Sequence, residues 1–203
     1  MRRMIPASTA LFAVLTLGAC GSGRPIRYYT VELPSAPEPT SSVYPIALVI
    51  GHIGAPETLH GQPIVYRSGR NEIGAYQYHL WSEPPVQMLK VMLIRRLRAS
   101  GKYQSVAQLG SSGEGDFVLQ GRLYDFEEVD TANVAALVSM EFELIDRKTR
   151  KTVWTHFYSR SEPVEGKEIS EVVSALDRNL AHGLTELASG LDAYFSANLS
   201  GKS

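Results

Sequence analysis

Residues 64–100 read "IVYRSGRNEIGAYQYHLWSEPPVQMLKVMLIRRLRAS", and the side-chain period changes partway along. The first part is rich in aromatic and β-branched residues on either side of Ser68-Gly69-Arg70-Asn71, which predicts two strands joined by a turn. Under strict alternation Ile73, Ala75, Gln77 and His79 share one face of the second arm, and Tyr76, Tyr78 and Leu80 share the other. Consecutive prolines then end the extended stretch. Each disfavours helical geometry in the residue before it, so Glu83 and Pro84 stay extended, while Pro85 suits the first helical position. From there Val86, Leu89, Leu93 and Leu97 recur at helical spacing, and Gly101 marks the stop. Arg95, Arg96 and Arg98 crowd the last turn, where the helix dipole favours them; they read as a solvated helix end rather than an anion site. A hairpin that feeds a helix in this way places the chain in the α/β (α+β) class.

The flanking segments follow the same two periods. Residues 27–33 read as a strand, and the segment "PSAPEPTSS" (34–42) as a linker with no large apolar side chain to bury. Residues 44–53 form a mostly continuous apolar run, the mark of a buried strand, and 105–109 a short strand. A glycine-rich loop (110–116) lacks the Lys-Ser/Thr ending of a phosphate-binding loop. Strands over 117–127, 134–145 and 153–160, with a turn at 146–149, predict an antiparallel meander. In its middle strand Val138, Met140, Phe142 and Leu144 face one way and Ser139, Glu141 and Glu143 the other. A long amphipathic helix over 168–199 is expected to cover the sheet of its own domain rather than pair with a partner helix. Gly183 and Gly190 are expected to weaken or bend it, each by about 1 kcal/mol relative to Ala.

The start of the chain has a different character. Arg2 and Arg3 precede a short apolar run that ends in small residues, the pattern of an export signal and too short to span a bilayer. The sole cysteine of the chain, Cys20, follows immediately. Leu17-Gly18-Ala19-Cys20 resembles a bacterial lipobox, in which cleavage before the cysteine is coupled to diacylglycerol on its sulfur. The alternative is an ordinary secretory signal with an incidental thiol, but an odd cysteine in an exported chain otherwise lacks a purpose. Gly21, rather than Asp, follows it; by the same resemblance this implies the outer membrane as destination. The predicted organisation is therefore a signal peptide (1–19), a lipidated N-terminus with the first strand and linker (20–43), and one folded domain (44–199).

Chemistry-bearing motifs are sparse. Net charge is −1 with no basic block, which gives no electrostatic case for nucleic acid or for anionic lipid. The five histidines show no metal-ligand spacing, and no G-x-S-x-G elbow is present. The acids of "DFEEVD" (125–130) alternate faces at a strand end and read as solvated rather than as a glycosidase pair. No catalytic residue, metal site or cofactor is expected.

Four strings together resemble the ABC-type transport auxiliary lipoprotein family: "YYTVEL" (28–33), "IVYRSGRNEIGAYQYHLWSEPP" (64–85), "GDFVLQGRLYDFE" (115–127) and "FYSRSEPV" (157–164). The most specific part runs from Ile64-Val65-Tyr66-Arg67 through Tyr76 and Trp81 to Pro84-Pro85. The resemblance implies a single domain with a mixed, largely antiparallel sheet packed by helices. It further implies a non-enzymatic, periplasm-facing lipoprotein of the outer membrane. There it would act beside an MCE-domain protein and an ABC-type permease and ATPase that move lipids between membranes, and the resemblance leaves a homo-oligomer open. Two other roles stand beside docking: binding a lipid or other apolar ligand directly, and piloting the assembly of another outer-membrane protein. Tyr66, Arg67, Tyr76, Tyr78 and Trp81 form the candidate interaction surface, since Tyr, Trp and Arg are favoured anchors. The open alternative is that Tyr66, Tyr78 and Trp81 belong to the core or pack against the helix start.

Overall fold

The computed structural model describes residues 24–32, 44–110, 115–131, 133–166 and 168–199. Along the chain these form β1 (Arg27–Tyr29), β2 (Tyr44–Gly54), a 3-10 turn (Glu57–Leu59), β3 (Pro63–Gly69), β4 (Glu72–Trp81), α1 (Pro85–Ala99), β5 (Tyr103–Gln108), β6 (Phe117–Asp130), β7 (Val134–Asp146), β8 (Lys151–Pro163) and α2 (Ile169–Leu199). The export signal, Cys20 and the proline-rich segment 34–42 lie outside the described residues. Among the described residues no helix is long and apolar enough to cross a membrane.

All eight strands join one mixed sheet organised around β6. One flank of β6 pairs antiparallel with β7 along its whole length, from Phe117↔Asp146 to Asp130↔Val134, and β7 pairs in turn with β8. The other flank serves two successive neighbours. Its first half pairs parallel with β2 (Leu48↔Phe117 to Gly54↔Arg122), and its second half pairs parallel with β3 (Val65↔Glu127 to Arg67↔Val129). The sheet therefore divides into a β5–β2 wing and a β1–β4–β3 wing, and a register shift between Leu123 and Asp125 falls where one gives way to the other. The antiparallel ladders are the longer ones; the wings attach to β6 through shorter parallel ladders.

The helices cover one face. α1 packs on β2 and β5, α2 on β7 and β8, and the helices touch each other through Arg96 and Thr185 at 2.9 Å. The predicted stripe of α1, Val86, Leu89, Leu93 and Leu97, is buried, and Gly101 closes the helix with φ +63°. Arg95 and Arg98 are exposed as expected, and two of the terminal arginines also bond within the fold: Arg96 to Thr185, and Arg98, whose Nε donates to the Val106 carbonyl at 2.8 Å. Val138, Met140, Phe142 and Leu144 of β7 are fully buried beneath α2. The opposite face is polar and aromatic, with Tyr124 and Phe157 exposed and the Tyr124 hydroxyl donating to Glu141.

α2 differs from expectation at its glycines. The helix runs unbroken past Gly183 and Gly190, and both lie on the contact with the sheet. A Cβ at Gly183 would press on Met140 and the Tyr158 ring, and one at Gly190 would sit 2.8 Å from the Trp154 indole. The missing side chains let the helix approach, and this offsets their low helical propensity. Asn179, one turn before Gly183 and wholly buried against the sheet, donates to the Ala136 carbonyl of β7 (3.0 Å) and the Arg160 carbonyl of β8 (2.8 Å), and accepts from the Tyr158 hydroxyl (2.6 Å). Further along, the Tyr44 hydroxyl and Lys102 ammonium both reach Asp192, which fastens α2 to the β2 wing. Burial pushes the Asp192 carboxyl up, but bonding to Lys102 and Tyr44 outweighs it and holds the group below the ordinary carboxylate range.

Candidate functional site

The β1–β4–β3 wing gathers most of the aromatic residues named in the sequence reading. Tyr66 stands opposite Gly74 in the ladder, and its ring lies across that glycine; a Cβ at Gly74 would collide with it. The ring also meets Tyr76 at 4.9 Å between centroids. Beyond Ala75 the β3–β4 ladder slips: Val65 pairs with Ala75, yet Pro63 already pairs with Leu80, so β4 carries the surplus residues. Such a bulge breaks period-two alternation. His79, expected on the face away from Tyr76, instead meets it edge to face at 5.7 Å. On its other side His79 stacks with Tyr29, whose hydroxyl lies 2.9 Å from Nδ1. Tyr29 arrives through β1, which pairs parallel with β4 over Arg27↔His79 to Tyr29↔Trp81. The strand expected over 27–33 ends there because β4 itself ends at Trp81.

Two carboxylates lie beneath this surface. Glu127 and Glu128 are 4% and 5% exposed, which corrects the reading of "DFEEVD" as a solvated strand end. The physical reason is that β3 pairs with β6 at these residues, and its wing covers positions that a free strand end would leave in water. Glu127 accepts from Arg67 Nε at 2.6 Å, with Asp125 at 3.8 Å from the same guanidinium. Glu128 has only the Tyr76 hydroxyl, which donates to it at 2.9 Å. Burial pushes both carboxyls above their ordinary range; Arg67 pulls Glu127 part of the way back, and the Tyr76 hydrogen bond does the same for Glu128. Burial and the neighbouring Glu128 also push the Tyr76 phenol up, so it stays a donor.

Above these groups lies a recess of about 560 Å³, bordered by Arg24, Arg27, Tyr66, Tyr76, Tyr78, His79 and Glu168. It brings together three of the five residues predicted for the interaction surface. Arg67 lies at the side, held by Asp125 and Glu127. Trp81 is placed elsewhere: it is fully buried, its ring 5.2 Å from Phe126 in the core. Arg24, Arg27, Glu168 and His79 were not singled out from the sequence, because the parallel β1–β4 pairing that delivers the arginines has no local signature. For Glu128 a signal did exist, since alternation puts it on the same face as the core residue Phe126, whereas Glu127 faces the other way and its burial depends on the distant β3. Among the described residues no group of three or more His, Cys, Asp or Glu is placed to hold a metal ion.

A mixed sheet with two helices on one face is a fold shared with solved structures. A crystal structure of a Xanthomonas campestris protein of the DUF330 family superposes with a TM-score of 0.76 at 20% identity, over 87% of this chain and 99% of that one. A second crystal structure, of an uncharacterized protein, gives a TM-score of 0.64 at 16% identity, over 83% of this chain and 99% of that one. A search of curated proteins gives no significant match. The family model for the ABC-type transport auxiliary lipoprotein component matches residues 29–188, and the chain belongs to that family. The match spans β2 to β8, the tyrosines of the recess and most of α2, while Arg24 and Arg27 precede it.

Proposed function

We propose that this protein is a non-enzymatic lipoprotein of the outer membrane that docks the periplasmic part of an MCE/ABC-type lipid transport system there. Family membership supports an auxiliary role in transport. The observation that carries the docking reading is the position of Arg24. It borders the recess beside Tyr66, Tyr76 and Tyr78, and it lies four residues after Cys20. Four residues reach at most about 14 Å. Acylation of Cys20 therefore holds the tyrosine wing within a headgroup layer's distance of the bilayer, each buried methylene contributing about 0.8 kcal/mol to the anchor. The transporter's MCE-domain protein meets the same wing from the periplasm, through Tyr66, Arg67, Tyr76 and Tyr78.

Affinity capture of the acylated protein from detergent-solubilised envelopes tests this reading. An MCE-domain protein is expected among the specific partners, with yield falling at least several-fold for Tyr78→Ala. Capture with no MCE protein, or mass analysis showing Cys20 unmodified, refutes it.

A further inference from the structure

We propose that the recess on the β1–β4–β3 wing binds the headgroup of a zwitterionic phospholipid, with the phosphate at Arg24 and Arg27 and the ammonium against the Tyr66 and Tyr76 rings. This deepens the docking reading by naming a ligand for the same surface.

The recess carries charges of both signs on its lining. Arg24 and Arg27 supply two guanidinium groups, and among the described residues neither forms an ion pair or a side-chain hydrogen bond. Guanidinium forks match phosphate oxygens in geometry and charge, and two of them on the same lining present anion-binding groups that no described acidic side chain pairs. The opposing charge on the lining is Glu168, which also has no cation within ion-pair distance among the described residues.

The aromatic lining supplies the complementary half. Tyr66 and Tyr76 are tilted by 50° at 4.9 Å, and Tyr76 and His79 stand at 79° at 5.7 Å, so three rings meet at angles around one concavity. Faces of this kind attract alkylammonium groups through the ring quadrupole. Glu128 sits behind Tyr76 and accepts its hydroxyl hydrogen, which fixes the ring and adds negative potential on the cation's side. A ligand with one phosphodiester and one ammonium a few bonds apart satisfies both halves. Phosphate alone leaves the rings unused, and an ammonium alone leaves the arginines unpaired. The volume of about 560 Å³ lies in the usual range for small-molecule sites and suits a headgroup with its glycerol. The short reach from Cys20 places the recess where such headgroups are concentrated.

The test uses the full-length mature protein in a non-ionic maltoside detergent, titrated by ligand-observed NMR. The probes are glycerophosphoethanolamine, glycerophosphocholine, glycerol 3-phosphate, inorganic phosphate and ethanolamine. The two zwitterions are expected to bind about tenfold or more tightly than any of the other three. Arg24→Ala/Arg27→Ala is expected to weaken them by about tenfold while far-UV circular dichroism and melting temperature stay unchanged. Glu168→Gln, also at an exposed border, is expected to weaken the zwitterions but not glycerol 3-phosphate. Equal binding of inorganic phosphate or glycerol 3-phosphate overturns the proposal in favour of a plain anion site. So does full retention of affinity in the double-arginine variant, or no binding by either zwitterion. Failure of the headgroup titration with intact capture of an MCE protein removes this inference alone; the opposite pair of results removes only the docking partner.

Discussion

Where α2 crosses β7 and β8 the contact is apolar and close, and the buried amide of Asn179 finds a partner for each polar atom. At the far end of β6, on the β1–β4–β3 wing, two carboxylates are buried with one arginine and one phenol between them, and two further arginines border an open recess. Both regions are sheet from the same domain. The first matches its most deeply buried polar side chains, Asn179 and Tyr158, to their neighbours, which is what stability requires. The second carries desolvation that stability alone does not call for. The difference separates the part of the molecule that holds it together from the part arranged toward something outside it.

Substitutions at the two ends test that division. The largest effect is expected at Asn179→Leu, which takes the amide donor from the Ala136 and Arg160 carbonyls and leaves the Tyr158 hydroxyl with the main-chain carbonyl of residue 179 but without its side-chain acceptor. The expected loss is about 3–5 kcal/mol in urea denaturation. Gly183→Val comes next, at about 2–3 kcal/mol, because a branched side chain must displace Met140 or the Tyr158 ring. On the wing, Arg67→Met is expected to lower stability by about 1–2 kcal/mol at pH 7, since Glu127 is left buried without its cation. That deficit should shrink as the pH falls and Glu127 takes up a proton. If Arg67→Met proves as damaging as Asn179→Leu, the contrast between the regions is wrong.

The smallest effect sharpens the contrast through pH. Burial raises the Glu128 carboxyl in the fold above its usual value near 4.5. Between that value and the raised one, the folded state holds more protons than the unfolded state, so this group's contribution to stability falls as the pH rises through the window. Glu128→Gln is expected to remove that part of the slope in a series of melting temperatures from pH 4 to 8. It should leave the fold intact, because an amide oxygen still accepts from Tyr76. An unchanged slope would show that Glu128 is already hydrated.

Much of the supporting region could be read directly from the residues. The stripe of α1, the alternation of β7 and the extent of α2 follow from periodicities that depend only on near neighbours in the chain. The wing was readable in its hairpin and its tyrosines but not in its details. Alternation failed at His79, where the ladder slips, and solvation failed at Glu127 and Glu128, which are buried by a strand some sixty positions away in sequence. Trp81 shared the aromatic pattern of the tyrosines, yet at the strand's end it turns into the core against Phe126. Gly183 and Gly190 looked like breaks because helical propensity is local, whereas their use as contact points depends on Tyr158 and Trp154.

The double neighbourhood of β6 sets an order of events during synthesis. β2, β3 and β4 leave the ribosome before β6 exists, so each wing emerges without the strand that must template it. The β6–β7–β8 meander and the β3–β4 hairpin can zip together as they appear, through near-neighbour turns. The two wings must then close large chain loops onto β6, which is the slow kind of step in sheet assembly. Until then the amino-terminal half has no place in the sheet, and an unfinished chain is the state in which a polypeptide can still be threaded through a membrane pore.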